Sequence, residues 1–162
     1  VVDCSVTLYL ILSKKMQAKY CLIIVIAFLL SVAPKSFADV DMSRPDGKGE
    51  MTVTRFSPGD GMVSLDFEGV IDGYGTVYVS QTWKPLNGDK TRGVMSGEAR
   101  TFLNDGTLLS SPLRGTLRRN RHSVKLYFTD AVSNGAQNFV SWDVDLLSKK
   151  VAVSYWELKA AE

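Results

Sequence analysis

Between residues 51 and 159 apolar and polar side chains alternate in short runs, and no stretch of ten or more residues carries a helical period. That alternation constrains the chain more than any other feature. A period of two puts successive side chains on opposite faces of an extended backbone, so each run reads as a strand with one buried face. Three runs show it cleanly. Val63, Leu65 and Phe67 oppose Ser64, Asp66 and Glu68; Val124, Leu126 and Phe128 oppose Lys125, Tyr127 and Thr129; Val140, Trp142 and Val144 oppose Ser141, Asp143 and Asp145.

The pattern predicts eight strands, over residues 51–56, 62–71, 75–83, 92–103, 107–118, 122–129, 137–146 and 151–159. Turn residues separate them, among them Pro58-Gly59-Asp60-Gly61, Asp72-Gly73, Asn87-Gly88, Asn104-Asp105-Gly106 and Asn134-Gly135. Asn-Gly and Asp-Gly pairs supply the positive φ of tight hairpins. Gly75, Gly93, Gly97 and Gly115 fall inside strand runs or at their ends, which predicts bends, bulges or close backbone approach. Pro112 predicts a break or an edge in the fifth strand.

Consecutive antiparallel strands must hide their edges, by closing into a barrel or by stacking as two sheets. Hairpin-length links throughout favour closure, because a Greek-key sandwich needs a long crossover. The expected fold is all-β: a single eight-stranded antiparallel up-and-down β-barrel over residues 51–159, with a two-sheet β-sandwich as the alternative.

Residues 1–38 have a different character. Lys14, Lys15 and Lys19 precede thirteen residues, 21–33, that are apolar except for Ser31, and Ser36-Phe37-Ala38 follows. Basic, apolar and small-residue segments in that order form the secretory signal pattern. A membrane-spanning helix needs about 20 apolar residues, and Pro34-Lys35 stops this run short. The expectation is cleavage after Ala38 and export to the periplasm or the extracellular space. Met16 fits the true start of such a signal, with an unusually long n-region as the alternative reading of residues 1–15. Residues 39–50, polar and turn-rich, are expected to form a flexible arm.

The leader also carries the chain's charge excess. The whole sequence has a formal net charge of +2, but the leader holds Lys14, Lys15, Lys19 and Lys35 against Asp3 alone, so the remainder is near neutral at −1. That balance gives no reason to expect a nucleic-acid partner or an anionic membrane. Both cysteines, Cys4 and Cys21, lie in the leader as well, so the exported domain has no internal disulfide and its core must suffice.

Glycine-spaced strands with a polar Glu/Arg strand resemble small exported barrels of the calycin-like and allene-oxide-cyclase kind. The residues concerned are Gly73-Tyr74-Gly75-Thr76-Val77-Tyr78, the segment Gly93-Val94-Met95-Ser96-Gly97-Glu98-Ala99-Arg100, Asp105-Gly106-Thr107 and Arg114-Gly115-Thr116. The resemblance covers residues 61–158. Such families include cyclases and ligand carriers, and no catalytic residue is carried over from them.

Chemistry is sparse. His122 is the only histidine, so neither a zinc nor a copper site is expected, and no cofactor is implied. Asp143 and Asp145, and Asp39, Asp41 and Asp46, lack calcium-loop spacing and read as solvated acids. No Gly-x-Ser-x-Gly elbow accompanies His122, which reads as part of an exposed hairpin tip. Arg114, Arg118, Arg119, Arg121 and Lys125 crowd that turn and could grip an anion, although charge at strand ends also serves simply to deter edge pairing.

The leading expectation is a non-catalytic barrel that binds a small apolar ligand or acts as an interaction module, with Tyr78, Trp83, Glu98, Arg100, Tyr127 and Trp142 as candidate ligand-binding residues. A cyclase- or isomerase-type enzyme is the second reading. It requires Tyr78, Glu98 or Arg100 inside a polar barrel, where a buried carboxylate would have a raised pKa. A surface inhibitor or adhesin-like protein using the arginine-rich turn is the third.

Overall fold

The computed structural model describes residues 42–158, so the expected leader lies outside the described residues. Eight strands follow in order: β1 (Gly47–Gly59), β2 (Met62–Ile71), β3 (Gly75–Pro85), β4 (Arg92–Phe102), β5 (Leu108–Asn120), β6 (Ser123–Ala131), β7 (Gln137–Asp145) and β8 (Lys150–Glu157). Each pairs antiparallel with its sequence neighbour, and β8 pairs with β1 to close the barrel. The fold is the all-β up-and-down barrel, and the sandwich alternative falls away.

The first strand departs most from its expected bounds. It starts at Gly47, inside the segment expected as a flexible arm, because Gly47 to Thr52 form a ladder with Tyr155 to Lys150 of β8. Two glycines among polar residues give no local strand signal there. Pairing with a partner more than a hundred residues away supplies the order instead. Further along, the β1–β2 register slips between Val53 and Arg55, a β-bulge at Thr54. Beyond Thr52 the ladder to β8 ends, and a bond from Val53 N to Lys149 O at 2.9 Å closes it.

The fifth strand is continuous through Pro112, but its ladder to β6 begins only at Leu113. Pro112 therefore sits where β5 has β4 on one side and no strand on the other, the position a residue without an N–H tolerates.

Alternation is realised as a largely apolar interior and a charged exterior. Leu65, Phe67, Leu126, Val124 and Val151 are buried, while Glu50, Glu68, Arg100, Arg118 and Asp143 face out. That polarity is the reverse of a barrel crossing lipid. Among the described residues no helix is long and apolar enough to cross a membrane.

Aromatic rings fill the middle of the barrel. Phe67 meets Trp142 edge-on at 5.1 Å between centroids and lies tilted against Trp83 at 6.3 Å; Trp142 meets Phe128 edge-on at 5.3 Å. Burying each such side chain contributes about 1.5–3 kcal/mol. The Trp83 indole N–H donates to Gln81 Oε1 at 2.8 Å, so the most buried polar side chain of β3 has a partner within its own strand.

Eight strands enclose just enough width for side chains to fill. The curvature this demands brings neighbouring backbones close at inward-facing glycines. A Cβ on Gly115 would run into the Tyr127 carbonyl oxygen and Phe128, and one on Gly97 into the Ser80 carbonyl oxygen. Gly115→Ala is expected to lower stability by about 1–3 kcal/mol through overpacking. Gly88→Ala, with no atom within 4 Å of the new methyl, should stay within about 0.5 kcal/mol of wild type. Urea denaturation of both variants checks the contrast.

Candidate ligand site at the open end of the barrel

The two ends of the barrel differ in chemistry. The β1–β2, β3–β4, β5–β6 and β7–β8 turns share one end, where a concave mouth of about 260 Å³ opens. Val63, Trp83 and Leu117 end the inward rows of β2, β3 and β5 and line it, and Leu146 joins them after β7. Leu146 is held by its amide donating to His122 O at 3.0 Å. The β1–β2 hairpin adds Phe56 and Met62, which are about half exposed. Lys90 and Arg119 border the same mouth.

The bulge in β1 and the end of its β8 ladder leave a side opening beside this mouth, lined by Val53, Phe56, Leu146 and Lys149. The result is an apolar bowl with cations at its rim. Large apolar side chains left half-exposed and contiguous mark an interaction site more often than scattered ones do.

The opposite end is plugged by polar groups around a cavity of about 60 Å³. Asn138, almost fully buried, donates through Nδ2 to Asp130 Oδ1 at 2.8 Å and to the Tyr74 hydroxyl at 3.1 Å. Its own Oδ1 has no partner among the described residues. Thr101 and Ser111 also line this cavity and are buried. Tyr74 packs edge-on against Tyr155 at 5.1 Å, and the Tyr155 hydroxyl donates to Asp72 O at 3.2 Å. Burial raises the Asp130 carboxyl above the ordinary carboxylate range, against the lowering effect of the Asn138 donors. Burial likewise raises the Tyr74 phenol, and it pushes Tyr155 up to about 12, so both stay neutral at physiological pH.

The six residues expected to bind ligand do not form one site. Trp83 and Trp142 point inward, and only Trp83 reaches the open mouth; Trp142 is packed between Phe67 and Phe128 and lines the small cavity at the opposite end. Tyr78, Glu98 and Arg100 lie on the outer face. Tyr78 stands directly opposite Arg100 and meets Phe102 edge-on, and Arg100 forms an exposed ion pair with Glu98 at 3.0 Å. Tyr127 is outside as well, stacked on Phe139 at 6.2 Å with Lys125 Nζ over its ring at 5.6 Å.

The polar, catalytic interior envisaged for Tyr78, Glu98 and Arg100 is therefore not built from them, because even-numbered positions of β3 and β4 face solvent. His122 is exposed, 3.9 Å from Asp145. Among the described residues no group of three or more His, Cys, Asp or Glu side chains converges.

Asp130 escaped the sequence reading as a residue of a polar turn. A signal was present: it continues the inward series Val124, Leu126 and Phe128 by one more step. Lys90 and Arg119 could not be found that way, since their meeting at the rim depends on the β4–β5 register, which sets the Arg119 amide on the Thr91 carbonyl at 2.8 Å. Comparison of the chain with known protein families, curated proteins and solved structures finds no match.

A pH dependence follows from Asp130. Its pKa in the folded protein lies above the unfolded value, so the unfolded chain ionises first. Its contribution to stability is complete below the unfolded pKa and declines as pH rises through the folded one. Asp130→Asn should therefore be more stable than wild type at neutral pH, with the advantage shrinking on acidification and gone below the ordinary carboxylate value of 3.8. Denaturation midpoints across an acid-to-neutral series read this directly; a difference that does not vary with pH would refute it.

Proposed function

We propose that this protein is an exported, non-catalytic barrel that binds a small apolar molecule bearing one anionic group, at the open mouth over Trp83. The carrying observation is that mouth: Val63, Trp83, Leu117, Leu146, Phe56 and Met62 make it apolar, and Lys90 and Arg119 stand at its edge. Small-molecule sites are concave and mostly apolar, with few polar groups, and typically span about 300–1,000 Å³. The volume here, about 260 Å³, falls just below that range and suits a small ligand.

The rest of the barrel supports the same reading. Its centre is occupied by aromatic rings and its far end by a polar plug, so a ligand is held at the rim of the barrel rather than along its axis. Export accords with the signal-like order of residues 14–38. The likeness to calycin-like exported barrels, families that include ligand carriers, points the same way.

Decanoate, decanol and decylammonium serve as probes that share a tail and differ in charge. Decanoate should quench tryptophan fluorescence saturably and bind tighter than decanol by about fivefold, with decylammonium weakest, since an exposed charge pair contributes up to about 1 kcal/mol. Phe56→Ala should weaken all three by about tenfold through lost apolar burial. Lys90→Gln should reduce the advantage of decanoate over decanol and leave decanol binding unchanged, with Arg119 keeping the remainder. Absence of saturable binding, or binding indifferent to Phe56, overturns the proposal.

A further inference from the structure

We propose that the outer face of β4, β5 and β6, beside the open end, is a binding site for a phosphate group. This site adjoins the apolar mouth, with Arg119 lining both, and does not depend on what the mouth binds. Arg92 stands directly opposite Arg118, and Arg118 directly opposite Lys125, all on the outer face. Neighbouring strands lie about 4.8 Å apart, so three cations form one row across the sheet. Like charges in directly opposed positions destabilise a sheet. Such a row persists against local stability, and a bound anion would offset its cost.

The carboxylates nearby do not discharge it. Asp143 pairs with Lys125 at 2.6 Å. Asp145 accepts the Leu147 and Ser148 amides at 2.8 and 3.1 Å and faces His122. Asp89 is close enough to Arg92 to feel its charge, but its Oδ1 already accepts the Thr91 amide and hydroxyl at 3.1 and 2.8 Å. Arg92 and Arg118 form no ion pair among the described residues. They border an open groove of about 520 Å³, which Asn120 and Ser123 also line, together with the already engaged Asp143 and Asp145 and with Arg119, whose Nε donates to the Arg121 carbonyl at 2.8 Å.

The charge count selects the ligand class. Two guanidinium groups without carboxylate partners call for a dianion, and a single carboxylate would leave one of them unmatched. A phosphate ester carries about −1.5 to −2 at neutral pH and offers three acceptor oxygens, and the guanidinium fork matches its geometry. Asn120 and Ser123, which line the same groove, supply neutral hydrogen-bonding groups for the remaining oxygens.

The test uses inorganic phosphate and glycerol phosphate at low ionic strength, followed by backbone amide shifts. Saturable shifts are expected at Thr91, Arg118 and Ser123. Arg92→Gln and Arg118→Gln should each weaken binding by about tenfold, the scale of one charge-assisted contact. Arg121→Gln, at the turn and outside the row, should leave it within about twofold. Without phosphate, Arg118→Gln should raise Tm by about 1–3 °C through relief of like-charge repulsion, a gain that a merely structural arginine would not yield.

Vesicles of phosphatidylcholine with a minority of phosphatidic acid distinguish the source. Co-sedimentation that phosphate competes away and Arg118→Gln abolishes identifies a lipid headgroup, whereas soluble binding alone identifies a free phosphate or phosphate ester. Shifts reproduced by sodium chloride at matched ionic strength, or unaffected by Arg92→Gln and Arg118→Gln, overturn the proposal.

Discussion

The ladder between β1 and β8, from Gly47 opposite Tyr155 to Thr52 opposite Lys150, is the contact on which the rest depends. It joins the two ends of the described chain. Without it the other seven pairings form an open sheet with two bare edges, and the buried faces of its strands have nothing to pack against. Closing the sheet brings Phe67 of β2 onto Trp142 of β7, rings that are far apart in sequence and in strand order. Hydrogen bonding of the first and last strands and burial of the aromatic centre are thus one event. Most of its cost is the entropy of bringing distant segments together.

Closure at eight strands also dictates where function can reside. The interior at that size is filled by side chains, and here rings and branched aliphatics fill it, with glycines at Gly97 and Gly115 letting the backbones approach. A ligand must then use an end or the outer wall. The two ends are not equivalent. At one, Asn138 donates to both Asp130 and Tyr74 beside a small cavity, and burial holds the acid and the Tyr74 and Tyr155 phenols toward their neutral forms. At the other, β1 bulges at Thr54 and parts from β8, so that apolar side chains which would otherwise be covered form the wall of a mouth.

The outer wall shows how register creates sites that composition hides. The domain is near neutral, yet pairing sets Arg92, Arg118 and Lys125 side by side, and it sets Tyr78 against Arg100. Arg92 lies 26 positions before Arg118, so no window along the chain joins the two. The arginine-rich turn was visible as a run of letters; the member that makes it a row across three strands was not.

The sequence alone determined the all-β class and the succession of eight strands, because period-two alternation and Asn-Gly or Asp-Gly turns are local properties of the backbone, while a barrel and a sandwich both stayed open. It also determined that Trp142 would share a face with Val140 and Val144, since parity along a strand decides which side chains go together. The tertiary structure alone decided that Gly47–Glu50 is strand rather than arm, because those residues are ordered only by distant β8. It alone decided that Tyr78, Glu98 and Arg100 stand in solvent, since which parity of β3 and β4 faces inward depends on pairing with their neighbours. The open end, the polar plug and the row of cations likewise come from register and closure. They are relations between strands, and a chain read one residue at a time does not contain them.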